Sequence, residues 1–286
     1  MKCIICHNSK IVKIPLIHEV SAYDHKAYPL YRCLSCGFIR PFPLPYTNET
    51  KGKIYDDPEN ILFYDKNSKR IMRNTKEFQY YYKHFEPFIK LIRKYKIMGQ
   101  ALDIGCGVGH LMDLLSKEQF KVEGMEVSPI LKKALKGRFT VHCKTLQQLQ
   151  KNKKRYNLIT FNQVLEHVED PESFLRSVNG LLAEKGYVIL AVPYIHGLVP
   201  QILRTRWYGL GFGQHLNFFS KKSLDLLLSR TGFEVCEMNV SIVDYAHPKF
   251  PRFLNLFANI MMKIIVYAGL GDNLFIVARK TVGVRK

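Results

Sequence analysis

From about residue 99 onward, short apolar runs alternate with one-sided amphipathic stretches. Ala101–Ile104 reads as a buried strand. It is followed by glycines and a helix over Val108–Lys117. Lys121–Val127, Phe139–His142, Leu158–Asn162, Tyr187–Val192, Phe233–Val243 and Leu274–Ala278 read as further strands. Pro129–Lys136, Pro171–Ala183 and Lys221–Thr231 read as helices between them. This alternation predicts an α/β fold, with a mostly parallel sheet covered by helices on both faces. Upstream, Ser68–Lys96 has a helical pattern that Pro87 restarts or kinks. Residues 46–67 are polar and show no period. Residues 1–45 are short β-like pieces ending in Pro41-Phe42-Pro43-Leu44-Pro45, where alternating prolines exclude helix and predict an extended linker. The expected organisation is a small module over 1–45, a linker with a helical region over 46–98 and the main domain over 99–286.

Composition narrows the class. The chain has 286 residues, 47% apolar and 23% charged, which suits a globular protein and excludes a disordered one. Its start lacks the layout of a signal peptide. The densest apolar window, Phe253–Leu270, carries Asn255, Asn259 and Lys263 four apart. That stripe predicts a one-sided helix, buried or lying on a membrane surface, and not a spanning segment. A cytoplasmic chain is expected. The formal net charge is +19, and the excess sits in the flanks. Residues 1–100 hold 18 Lys/Arg against 9 Asp/Glu, residues 101–200 hold 13 against 10, and residues 201–286 hold 12 against 5. An anionic partner or a generally basic surface accounts for this equally well.

The central chemical signal is Leu102-Asp103-Ile104-Gly105-Cys106-Gly107-Val108-Gly109-His110. Glycines directly after an apolar strand allow a tight turn and let a ligand approach the backbone. A dinucleotide fingerprint would need glycine at position 110, where His stands. Twenty-one residues after Gly105, Glu126 lies at a strand tip before Val127 and Ser128-Pro129. An acid there suits a bidentate contact with vicinal ribose hydroxyls. The alternative is a surface acid beside a helix start.

This GxGxG form with a strand-terminal acid resembles motif I of class I S-adenosylmethionine methyltransferases. The segment Tyr156–Pro171, with Asn162-Gln163-Val164-Leu165-Glu166-His167, resembles the fourth-strand region of the broad methyltransferase family that includes the ubiquinone-biosynthesis enzymes. The segments His215–Ser220 and Gly271–Leu274 also look like this family. The resemblance covers about Gly99 to Arg279. It implies a Rossmann-like sheet of seven strands with the last antiparallel, and S-adenosylmethionine as cofactor. It further implies that Asp103 contacts the cofactor's amino group, that Gly105, Cys106 and Gly107 form the turn beside it, and that Glu126 and Val127 lie at the ribose. Asn162 and Gln163 would line the methionine end, and the loop at Thr145-Leu146 would face the adenine.

Cys3-x2-Cys6 and Cys33-x2-Cys36-Gly37 are separated by 26 residues. Two pairs of thiols at this spacing suit tetrahedral zinc in a structural site, because four cysteines leave no open coordination position. Cys106, Cys143 and Cys236 read as small buried apolar residues.

Methyl transfer requires an in-line approach with water excluded, and a base where the acceptor carries a proton. His167 and His215 are the candidates for that base; each also reads as a packing residue. Segment Pro193–Gly213 would roof the pocket, with Arg204 and Arg206 available to an anionic group. The expected acceptor is a small molecule, a sugar or nucleotide-sugar by analogy with zinc-ribbon methyltransferases. The other readings are an RNA methyltransferase, a lipid or quinone-type enzyme at the membrane surface, and a non-catalytic binding protein on the same fold.

Overall fold

The computed structural model describes residues 1–20, 26–45, 61–242 and 263–281. The first three strands, β1 (Ile11–Val20), β2 (Ala27–Cys33) and β3 (Ile39–Pro41), form an antiparallel sheet. A small hairpin follows, β4 (Tyr64–Asp65) with β5 (Arg70–Ile71). Then come α1 (Lys76–Tyr81) and α2 (Glu86–Lys94), joined by a 3-10 turn. Pro87 sits in the first turn of α2 and restarts the helix as its missing N–H dictates.

The main sheet is built from β6 (Gln100–Ile104), β7 (Lys121–Met125), β8 (Thr140–His142), β9 (Tyr156–Asn162), β10 (Leu182–Pro193), β11 (Phe233–Ser241) and β12 (Asn273–Lys280). Their spatial order is β11-β12-β10-β9-β6-β7-β8, and β12 runs antiparallel to both neighbours while the other pairings are parallel. The connecting helices are α3 (His110–Lys117), α4 (Pro129–Leu135), α5 (Leu146–Gln150), α6 (Pro171–Leu181), α7 (Leu198–Leu203) and α8 (Lys221–Arg230). This is the seven-stranded Rossmann-like arrangement expected from the sequence. Strand β9 is apolar on both faces; Leu158, Ile159 and Phe161 are fully buried, as a central parallel strand covered by helices requires. From β6 the chain first steps outward through β7 and β8, then returns to β9 on the opposite side of β6. That reversal opens a crevice at the carboxyl ends of β6 and β9, where such sheets bind ligands.

Two features differ from the sequence reading. Helix α5 was not expected, yet Thr145 and Gln148 form a complete capping box at its start. The N-terminal module does not hang on its linker. Cys3, Ile5, Cys33, Cys36 and Phe38 are packed in the same buried cluster as Phe219 and Leu224 of the main domain. Most of the Phe253–Leu270 segment, including Asn255 and Asn259, lies outside the described residues. Among the described residues no helix is long and apolar enough to cross a membrane.

Candidate active site

A cavity of about 550 Å³ opens at the crevice, within the usual range for small-molecule sites. It is lined by the glycine turn, by the tips of β7 and β9, and by residues from the helical region before β6. Asp103, Gly105, Cys106, Gly107, Glu126, Val127, Asn162, Gln163 and His167 all face it.

The local backbone explains this convergence. Gly105, Gly107 and Gly109 all adopt positive φ, so the chain reverses tightly into α3. A Cβ at Gly105 would stand 2.5 Å from Val164 Cγ2, so no side chain fits there; one at Gly107 would meet only open space. Gln163 holds φ +55 at the end of β9 and donates from Nε2 to Asn273 Oδ1 at 3.0 Å. A non-glycine residue in that region is held by its surroundings, here beside the cavity.

The acids are held differently. Glu126 Oε1 accepts from Val127 N at 2.8 Å and Ser128 N at 3.1 Å, and Oε2 accepts from Gly107 N at 2.9 Å. These bonds link the two motifs directly. They fix the carboxylate at the cavity wall and leave Oε2 with acceptor capacity for a ligand hydroxyl. Asp103 is buried, and Oδ1 accepts from Thr160 Oγ1 at 2.8 Å. Burial pushes its pKa up to about 7, the Thr160 bond opposes this, and the Glu126 charge adds to it. The lining residues include two carboxylates, those of Asp103 and Glu126.

His167 Nδ1 lies 2.8 Å from Gln214 O; a carbonyl only accepts, so Nδ1 carries a proton and donates it there. His215 does not line the cavity. It sits behind His167, with ring centroids 4.7 Å apart, and its Nδ1 donates to Gly209 O at 2.8 Å. Burial lowers the His215 pKa to about 4, so it is neutral at pH 7. An oxygen of the buried Glu166 and one ring nitrogen of each histidine lie within 4.8 Å of one another.

Four expectations need correction. Cys143 and Cys236 are exposed, and of the three isolated cysteines only Cys106 is buried. Thr145 and Leu146 do not line the cavity: the Thr145 hydroxyl caps α5 and Leu146 is buried in the core. Val127, Ser128 and Leu131 line the cavity. Arg204 and Arg206 are exposed and outside the cavity lining, so they offer no anion contact within it. His215 reaches the site through His167 and not directly. The sequence reading also missed the aromatic wall of Phe63, Tyr81 and Phe85. His110, standing where a dinucleotide fingerprint would have glycine, stacks on Phe78 at 3.9 Å between centroids and holds this wall against α3.

The four cysteines of the N-terminal module come together. Cys3 Sγ and Cys36 Sγ are 3.6 Å apart, Cys6 Sγ and Cys33 Sγ 3.5 Å, and all four sulfurs lie within 4.8 Å of one another. Tetrahedral zinc with bonds of about 2.3 Å needs sulfur spacings of about 3.8 Å, so the set fits the ion. The Cys36–Cys3 contact lowers the Cys3 pKa to about 5 and pushes that of Cys36 up.

Comparison with known proteins agrees with this geometry. Residues 68–238 match the family model described as a methyltransferase domain, and the chain belongs to that family. It is similar to the ubiquinone biosynthesis O-methyltransferase of Coxiella burnetii, 27% identical over 123 residues that cover 35% of this chain and 53% of the relative. The Rickettsia bellii protein of the same name is 22% identical, with 53% of this chain and 68% of the relative covered. The chain spans about half the length of the first of these relatives. Among solved structures, a SAM-dependent methyltransferase from Archaeoglobus fulgidus aligns with a TM-score of 0.49 at 19% identity, covering 70% of this chain and all of that one.

Proposed function

We propose that this chain transfers a methyl group from S-adenosylmethionine to a small-molecule acceptor in the cavity at the β6–β9 crevice. The observation that carries this reading is the Gly107 N–Glu126 Oε2 bond, which joins the glycine turn and the ribose-type acid on one cavity wall that also holds His167. The bound cofactor would supply an electrophilic sulfonium methyl. Asp103 would hold its ammonium group, Glu126 its ribose hydroxyls, and the turn at Gly105–Gly107 its approach to the backbone. Asn162 and Gln163 would border the methionine end.

His167 Nε2 would take the acceptor's proton, and His215 with Glu166 would stabilise the charge behind it. The carboxylates of Asp103 and Glu126 on the cavity wall disfavour an anionic acceptor such as a nucleotide-sugar beside them. The aromatic wall of Phe63, Tyr81 and Phe85 instead favours a flat apolar ring bearing a hydroxyl. The O-methyltransferase relatives are consistent with oxygen as the acceptor atom. Zinc on Cys3, Cys6, Cys33 and Cys36 would be structural. The test is titration calorimetry with S-adenosylmethionine, followed by labelled methyl transfer to a panel of phenols and sugars. Saturable binding with phenol labelling supports the reading, and failure to bind the cofactor overturns it.

A further inference from the structure

The cysteine module touches the main domain at one place that matters for chemistry. Strand β3 leaves the second cysteine pair and bridges to the segment carrying His215, with Ile39 N donating to Phe218 O and Phe218 N to Ile39 O, both at 2.9 Å. Ser220 Oγ donates to Cys36 O, and His196 Nε2 donates to Gly37 O at 2.9 Å. The next residue in β3 after Ile39 is Arg40. Its Nη1 donates to Asn217 Oδ1 at 3.3 Å and its Nη2 to Glu169 O at 3.0 Å. Asn217 in turn donates from Nδ2 to Leu165 O at 3.2 Å and Val168 O at 2.6 Å. The backbone N–H groups of Leu216 and Asn217 both reach Glu166 O, at 2.7 and 3.0 Å. Thus one guanidinium from the module ties together the two loops that bear His167 and His215.

We infer that Arg40 is a positioning residue for the histidine pair, and that the cysteine module is a brace of the active site and not an independent appendage. The inference rests on the catalytic reading of His167. A guanidinium is required because it offers two donors in a fixed fork to two acceptors on different loops; an ammonium is a point donor without that geometry. The brace touches neither the glycine turn nor Glu126, so its loss should misplace the histidines and leave the cofactor wall intact.

The test compares full-length wild type with Arg40→Ala, Arg40→Lys and His167→Gln, each checked for folding by thermal melting. A chelator-treated wild-type sample is run beside them. Readouts are kcat, the S-adenosylmethionine Kd and the histidine-ring ¹H–¹⁵N spectrum. For Arg40→Ala the expected result is a kcat loss on the order of ten- to a hundredfold. Its Kd should stay within about twofold, and the His167 and His215 ring signals should broaden or shift. Arg40→Lys should recover part of the loss, and chelation should reproduce the ring changes. If Arg40→Ala does not fold, Arg40→Lys with the same readouts decides. Unchanged ring signals, or a Kd that weakens in step with kcat, overturn the inference. Shifted rings with unchanged kcat in both Arg40→Ala and His167→Gln would keep the brace and overturn the catalytic role of His167.

Discussion

Replacing Asp103 with Asn should make the free protein more stable and the cofactor complex weaker, with a pH signature in both. Asp103 is buried at the cavity wall, and burial pushes its carboxyl pKa from 3.8 up to about 7. Between those values the folded state holds a proton that the unfolded chain has lost. Stability therefore falls as pH rises from about 4 to about 7, then levels off. At 1.36 kcal/mol per pH unit the upper bound is roughly 4 kcal/mol of destabilisation at pH 8 relative to a neutral residue there. Asn keeps the acceptor for Thr160 Oγ1 and carries no charge. Urea denaturation at pH 4 and pH 8 measures this: the two proteins should be similar at pH 4, with the variant more stable at pH 8. In the wild type only the ionised carboxyl attracts an ammonium group. With a pKa of about 7, binding should weaken about tenfold between pH 8 and pH 6, and that dependence should vanish in the variant. A variant less stable than wild type at pH 8, or one that binds the cofactor equally well, would refute the reasoning.

Other outcomes follow from the same geometry. His167→Ala should lower turnover by roughly 10²- to 10⁴-fold with the cofactor Kd little changed, read by steady-state kinetics beside calorimetry. Glu126→Ala removes a carboxylate held by three backbone amides and leaves those donors unpaired. It should weaken cofactor binding by about 2 kcal/mol or more, and an unchanged Kd would remove Glu126 from the ribose site. Gly105→Ala places a Cβ 2.5 Å from Val164 at φ +70, so cofactor binding and melting temperature should both drop. Atomic absorption should find one zinc per chain, and Cys33→Ser should lower both metal content and melting temperature.

The sheet was legible because its strands are short, apolar and punctuated by glycine or proline, and because each helix between them carries one apolar face. The cofactor wall was legible for a related reason. A glycine turn and an acid at a neighbouring strand tip are local features, each read within a few residues. What escaped was non-local. The aromatic wall of Phe63, Tyr81 and Phe85 comes from a stretch whose only sequence sign was a broken helical period, and nothing there shows which strand end it covers. The His215 segment was visible, but its burial behind His167 depends on Asn217 bonding to the loop some fifty residues earlier. Thr145 was misassigned although T-x-x-Q is a helix-start signature, so that signal was available and outweighed by analogy. The docking of the cysteine module through Arg40 and Ile39 had no sequence sign at all.

The central claim is that one cavity, which His167 also lines, holds the adenosyl group against Glu126 and the glycine turn. A crystal structure of the chain with S-adenosylhomocysteine tests it most directly. The account predicts ribose hydroxyls within hydrogen-bond distance of the Glu126 carboxylate, the amino group beside Asp103 and the sulfur facing the His167 side of the cavity. Product bound elsewhere, or a ribose without contact to Glu126, would contradict it.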